Sequence, residues 1–217
     1  MIKHEIKEVK SNIFAVIIPN DFDRAMTFCR VQEFYESPNE KFRGKHFKMW
    51  DYMKWYSEEY GRGFSYPNDW GGFNIPFEVM DECFRNMKDF ETPYDKIMYE
   101  IYSQIKTMKG NGKAYVIGAA DIKGNTFKHE VCHGLYYTNE NYNQLVNEIT
   151  DTIPLEYKLA FRNNLIRMGY TDSVVDDEIQ AYLTFGHSYK SFSKDVPEDL
   201  CNEWHIQYKR IFEVLTT

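Results

Sequence analysis

Two histidines set four residues apart constrain this chain more than any other feature. In Thr126-Phe127-Lys128-His129-Glu130-Val131-Cys132-His133-Gly134-Leu135 the pattern is His-Glu-x-x-His. Residues four apart share one face of an α-helix, so His129 and His133 can converge on one point only if this stretch is helical. The flanks require the same. Phe127, Val131 and Leu135 fall at i, i+4 and i+8 and make an apolar face, with the two His roughly opposite Phe127 and Leu135. Lys113 to Ala119 reads as a short buried strand. Gly124-Asn125-Thr126 reads as the turn into the helix, with Asn125 or Thr126 expected to cap it. One side of the helix then belongs to a core and the other to a cleft.

That arrangement has a chemical reading. Two imidazoles on one helix face can hold a divalent metal, Zn2+ by preference. A neighbouring carboxylate, Glu130, can take a proton from a metal-activated water. A five-residue match of this kind occurs by coincidence in roughly one in a hundred chains of such length and composition, so the strand–turn–helix setting carries much of the weight. Two His do not complete a catalytic zinc site, and a third protein ligand is expected. The extended motif that supplies a third His ten residues after the first is excluded, because Asn139 stands where that His is required. Glu178 is the candidate. Val175, Ile179, Tyr182 and Leu183 form the apolar face of its helix, Glu178 lies at the border of that face, and a carboxylate buried there needs a cation. Small Ala181 would let two helices approach. Asp177 and His187 are the alternative third ligands. The plain competing reading is that Ser173 and Asp176 form a capping box and that Asp176, Asp177 and Glu178 complement the helix dipole.

His129-Glu130-x-x-His133 followed by Asp177-Glu178-Ile179-Gln180-Ala181-Tyr182 resembles the gluzincin branch of the zincin metallopeptidases. The resemblance spans about residues 113 to 185 and implies a zincin-like α+β fold, mostly helical, with a small sheet packed against the motif helix. It also implies a zinc-dependent peptidase acting on peptide or protein substrates, with His129, His133 and Glu178 as ligands and Glu130 as the base. Tyr182, His187 and Tyr189 are candidates, by position along the chain only, for the group that stabilises the oxyanion, with Tyr182 placed first. A catalytically inactive zincin-like binding domain is the alternative, and a metal-free helical interaction protein is a third reading.

Composition narrows the class. At 217 residues the chain suits one domain, with residues 1–124 holding a small sheet and 125–217 a helical part carrying the ligands. A net charge of −7 argues against a non-specific nucleic-acid binder, which needs a basic face. No apolar run is long enough for a transmembrane helix, and the N-terminus lacks a signal-peptide core. Cys29, Cys83, Cys132 and Cys201 are scattered with no C-x-x-C, which points to a reduced, cytoplasmic protein. Cys132 is expected to be a buried structural thiol.

Strands are expected at 12–18 and 113–119, sharing a sheet. Helices are expected over 24–35, 45–60, from 76 through 84, from 93 through 108, 139–149, 155–168, 172–185 and 198–214. The Gly-, Pro- and Asn-rich stretch 61–76 reads as a loop whose Phe64, Tyr66, Trp70 and Phe73 either wall a cleft or pin the loop over the core, the second being favoured.

Overall fold

The structure, a computed structural model, describes residues 2–85, 87, 89–186 and 190–216. The chain forms two compact units, Met1–Ile122 and Lys123–Thr217, and each is taken by itself. The mostly helical α+β character expected from the sequence is present: a small mixed sheet lies in the first unit and a helical assembly makes up the second.

In the first unit, β1 (Glu5–Lys10) and β2 (Ile13–Ile17) form an antiparallel hairpin. Asn12 turns it at a φ of 58°, a conformation Asn tolerates through its short polar side chain. That side chain also accepts from the Gly110 N–H at 2.8 Å, tying the turn to the loop ahead of β4 (Tyr115–Ala119). β4 runs parallel to β2, a pairing that requires the long crossover between them. β3 (Phe73–Pro76) pairs antiparallel to β4, giving the order β1-β2-β4-β3. Two of these strands were not expected. β1 carries four charged residues, Glu5, Lys7, Glu8 and Lys10, and sits at one edge of the sheet, where charge discourages further pairing. β3 ends in Pro76 at the other edge, a position that tolerates a residue without an N–H.

The crossover carries α1 (Asp21–Glu36), α2 (Met49–Tyr60), α3 (Tyr66–Asp69), α4 (Phe77–Arg85) and α5 (Pro93–Met108). Thr92 caps α5 through a capping box with Asp95, and Asp95 also pairs with the buried guanidinium of Arg30 at 2.6 Å. Asn20 caps α1, its Oδ1 accepting from the Asp23 N–H at 2.8 Å. The 61–76 stretch is pinned down by its aromatics: Tyr66 and Phe73 are buried, with Phe64 stacked on Tyr66 and Phe73 on Phe28. Phe28 lies so close to Gly118 on β4 that a Cβ there would meet its ring at 2.6 Å.

The second unit contains α6 (Gly124–Thr138), α7 (Glu140–Thr152), α8 (Leu155–Arg167), a 3-10 turn (Asp172–Val174), α9 (Val175–Phe185), α10 (Lys190–Ser193) and α11 (Glu198–Thr216). α9 is the central rod, packing against α6, α7, α8 and α11. Ile179, Ala181 and Leu183 on α9 are fully or almost fully buried, as are Tyr142, Val146, Phe161, Leu165 and Tyr208 around it. Phe192 is sandwiched between the rings of Phe161 at 4.5 Å and Tyr182 at 4.7 Å, so the core itself fixes the tilt of Tyr182. α6 begins at Gly124 with no side-chain cap; the first residue takes φ of 80°, which glycine adopts without a Cβ penalty. The cap expected at Asn125 or Thr126 is therefore absent. All four cysteines are free and buried. Among the described residues no helix is long and apolar enough to cross a membrane.

Candidate metal centre

α6 delivers both imidazoles of the motif. Phe127, Val131 and Leu135 are buried, which fixes the rotation of the helix about its axis. His129 and His133 then lie side by side toward α9, their Nε2 atoms 3.1 Å apart. The amphipathic pattern placed both rings on a cleft face. The structure divides them: His129 lines a pocket, whereas His133 is buried at 4% exposure between α6 and α9.

α9 supplies the third donor. Glu178 is buried, with Oε1 at 3.6 Å from His133 Nε2 and Oε2 at 3.6 Å from His129 Nε2. The three residues form the one group among the described residues whose ligand atoms gather closely enough for a metal ion. Zinc–nitrogen and zinc–oxygen distances of about 2.0–2.2 Å in a tetrahedron put ligand atoms about 3.3–3.6 Å from one another. The two ring nitrogens are 3.1 Å apart, and each lies 3.6 Å from a different oxygen of the Glu178 carboxylate; with one ligand atom from each residue the three gather within 4.8 Å, somewhat wider than that edge.

The donor chemistry also fits a cation. Glu178 Oε2 is buried with no hydrogen-bond partner among the described residues, a costly state for a carboxylate oxygen. His133 Nδ1 lies 2.9 Å from Asp177 Oδ1, and an ionised carboxylate only accepts, so the proton of a neutral ring sits on Nδ1. Nε2 then turns its lone pair toward His129 and Glu178. A carboxylate that fixes tautomer and orientation in this way is the usual companion of a metal-bound histidine. In the metal-free protein a proton meets part of the same demand. Burial alone would lower the His133 pKa, but the carboxylates of Asp177 and Glu178 hold it up at about 10.

The competing capping box of Ser173 and Asp176 is absent, while Asp176, Asp177 and Glu178 do lie in the first turn of α9, where they complement the helix dipole. No side chain caps α9; Ser173 Oγ bonds to Thr171 Oγ1, Asp177 turns to His133, and Glu178 faces the two imidazoles. Asp177, an alternative third ligand from the sequence, stands behind His133 instead. His187 and Tyr189 lie outside the described residues.

Beside the donors is a pocket of about 170 Å³ lined by Thr126, His129, Glu130, Tyr170, Tyr182 and Phe185. Glu130 and Tyr182, both expected at the site, are thus gathered on its wall. The Tyr182 ring meets His129 edge-on, with centroids 4.8 Å apart. Tyr170 was not anticipated. Its hydroxyl lies 3.1 Å from that of Tyr182, and its pKa is raised by burial, by the Glu178 charge and by that contact. It comes from the loop between α8 and the 3-10 turn, where no periodic pattern marks it; its one sequence signal is Gly169 before it, which ends the helix at a φ of 102°.

Comparison of the chain with protein-family models, with curated proteins and with solved structures gives no match.

Proposed function

We propose that the protein is a zinc-dependent metallopeptidase of the gluzincin kind, with a zincin-like catalytic unit, hydrolysing peptide bonds of a peptide or protein substrate. The observation that carries this reading is the gathering of His129 Nε2, His133 Nε2 and the Glu178 carboxylate, whose two oxygens lie 3.6 Å from one ring nitrogen each, with Glu130 on the wall of the adjoining pocket. His129, His133 and Glu178 would hold the ion. When bound, zinc supplies Lewis acidity that lowers the pKa of water and polarises a carbonyl.

The chain's own groups do the rest. Glu130 accepts the proton of the attacking water and passes it to the leaving amine nitrogen, as a general base and then a general acid. The Tyr170 and Tyr182 hydroxyls form a pair in which one can donate to the other while the second donates to the carbonyl oxygen as charge develops there. Asp177 keeps the His133 ring in one tautomer.

The test is hydrolysis of a peptide library with and without a chelator, alongside Glu130→Gln. Chelator-sensitive cleavage by the native protein, lost in a Glu130→Gln variant that keeps its metal, supports the reading. Undiminished turnover in that variant removes Glu130 from its role. Metal binding without cleavage of any peptide favours a zincin-like binding domain.

A further inference from the structure

The ligand set leaves one buried polar chain unexplained. Asp177 Oδ1 receives two hydrogen bonds, from His133 Nδ1 at 2.9 Å and from Gln180 Nε2 at 2.9 Å. Gln180 lies one turn further along α9 and is wholly buried, as is Tyr142 on α7, whose hydroxyl donates to Gln180 Oε1 at 2.8 Å. An amide in an apolar core is costly unless both its ends are paired, and here both are. For packing alone, Met or Leu would fill the space without that constraint.

The direction of the bonds carries the argument. Tyr142 gives its proton to the amide oxygen, which leaves the amide NH2 facing Asp177. Turned the other way, the amide would set its oxygen against a carboxylate oxygen, acceptor against acceptor. Tyr142 is itself anchored at the start of α7, where Asn139 Oδ1 accepts from its backbone N–H. A continuous line of hydrogen bonds therefore runs from the first turn of α7, through α9, to the ring of His133 on α6.

We propose that Gln180 and Tyr142 are positioning residues that hold Asp177 in the one orientation that aims His133 Nε2 at the metal. This rests on the zinc reading of His129, His133 and Glu178. Neither residue is one of the three ligands, and the route to His133 runs through Asp177; Tyr142 also meets Cys132 beside His133, which makes Gln180 the cleaner probe. Loss of such outer support for a ligand costs about tenfold to a hundredfold in metal affinity.

The experiment is a double-mutant cycle read by zinc affinity, measured by competition with a chromophoric chelator. The Co2+-substituted protein adds its visible absorption bands as a report on ligand geometry. Gln180→Met is expected to weaken zinc about tenfold and to alter the Co2+ bands. In an Asp177→Ala background the same change should alter affinity less than about twofold, because the residue it acts through is gone. Tyr142→Phe, which removes one oxygen, should repeat the pattern and serves if Gln180→Met does not fold. Equal weakening in both backgrounds overturns the relay and reduces the chain to general packing. Unchanged affinity and bands in folded Gln180→Met and Tyr142→Phe overturn it as well. A native protein that binds no zinc fails one step earlier and removes the metal reading together with this one.

Discussion

Glu178→Gln separates a metal ligand from a buried carboxylate of another kind. The substitution keeps side-chain volume and removes the negative charge that lies 3.6 Å from both imidazoles. A ligand that binds only the folded state stabilises it by RT ln(1 + [L]/Kd), so zinc at one hundred times its Kd contributes about 2.7 kcal/mol. For a cooperative unit of about 95 residues, such as 123–217, each kcal/mol moves the melting midpoint by about 4–8 °C. Zinc should therefore raise the midpoint of this unit by about 10–20 °C in the native protein. Supporting groups behind a ligand are worth about tenfold to a hundredfold in affinity, and loss of a direct ligand reaches at least the top of that range. At the same zinc concentration the variant then retains about 0.4 kcal/mol, a shift of about 2–3 °C. The assay is calorimetry of each protein with chelator and with buffered zinc, each metal-free midpoint serving as its own reference. An equal zinc-induced shift in native protein and variant would refute the assignment of Glu178.

Four further outcomes follow from the same structure. Tyr170→Phe should lower kcat by about a hundredfold with zinc affinity unchanged, if its hydroxyl pair donates to the oxyanion; steady-state kinetics with metal titration checks it. Asp95→Ala leaves the buried Arg30 guanidinium without its 2.6 Å partner and removes half of the α5 capping box, so denaturant unfolding should show a loss of about 3–5 kcal/mol. Gly118→Ala drives a methyl into the Phe28 ring and should cost about 1–3 kcal/mol in the first unit, again by denaturant. Glu33 is buried, and burial raises its pKa against the opposing influence of the neighbouring Ser37, Tyr52 and Tyr66 hydroxyls. A carboxyl raised on folding favours the folded state at low pH, and that contribution is lost as pH climbs from the unfolded value of about 4.3 past the raised one. Glu33→Gln should therefore flatten the pH dependence of stability and gain most near neutral pH, read from unfolding curves across pH 4–8.

The longer helices were legible because apolar residues recur at 3.6-residue spacing and because Thr92-Pro93 and Asn139 mark their starts, whereas the four-residue α3, inside the stretch read as a loop, and α10 are too short to show a period. The parallel pair β2 and β4 was legible as uninterrupted apolar runs. The edges were not. β1 is two-thirds charged and β3 is four residues ending in Pro76, and both owe their strand conformation to a partner that local sequence does not reveal. At the candidate site, the helical spacing of His129 and His133 and the border position of Glu178 were enough to bring all three together. The role of Asp177 was not readable, since a carboxylate next to a ligand looks the same whether it binds metal or orients a ring. Tyr170 and the Gln180–Tyr142 chain depend on how α7, α8 and α9 pack, and spacing along one helix carries no trace of that.

The most direct measurement is the anomalous scattering of crystals of tag-free protein grown with zinc, recorded on either side of the zinc edge. The account predicts one strong peak about 2.0–2.2 Å from His129 Nε2, His133 Nε2 and a Glu178 oxygen. No peak there at full zinc saturation, or a peak held by other side chains, would contradict it.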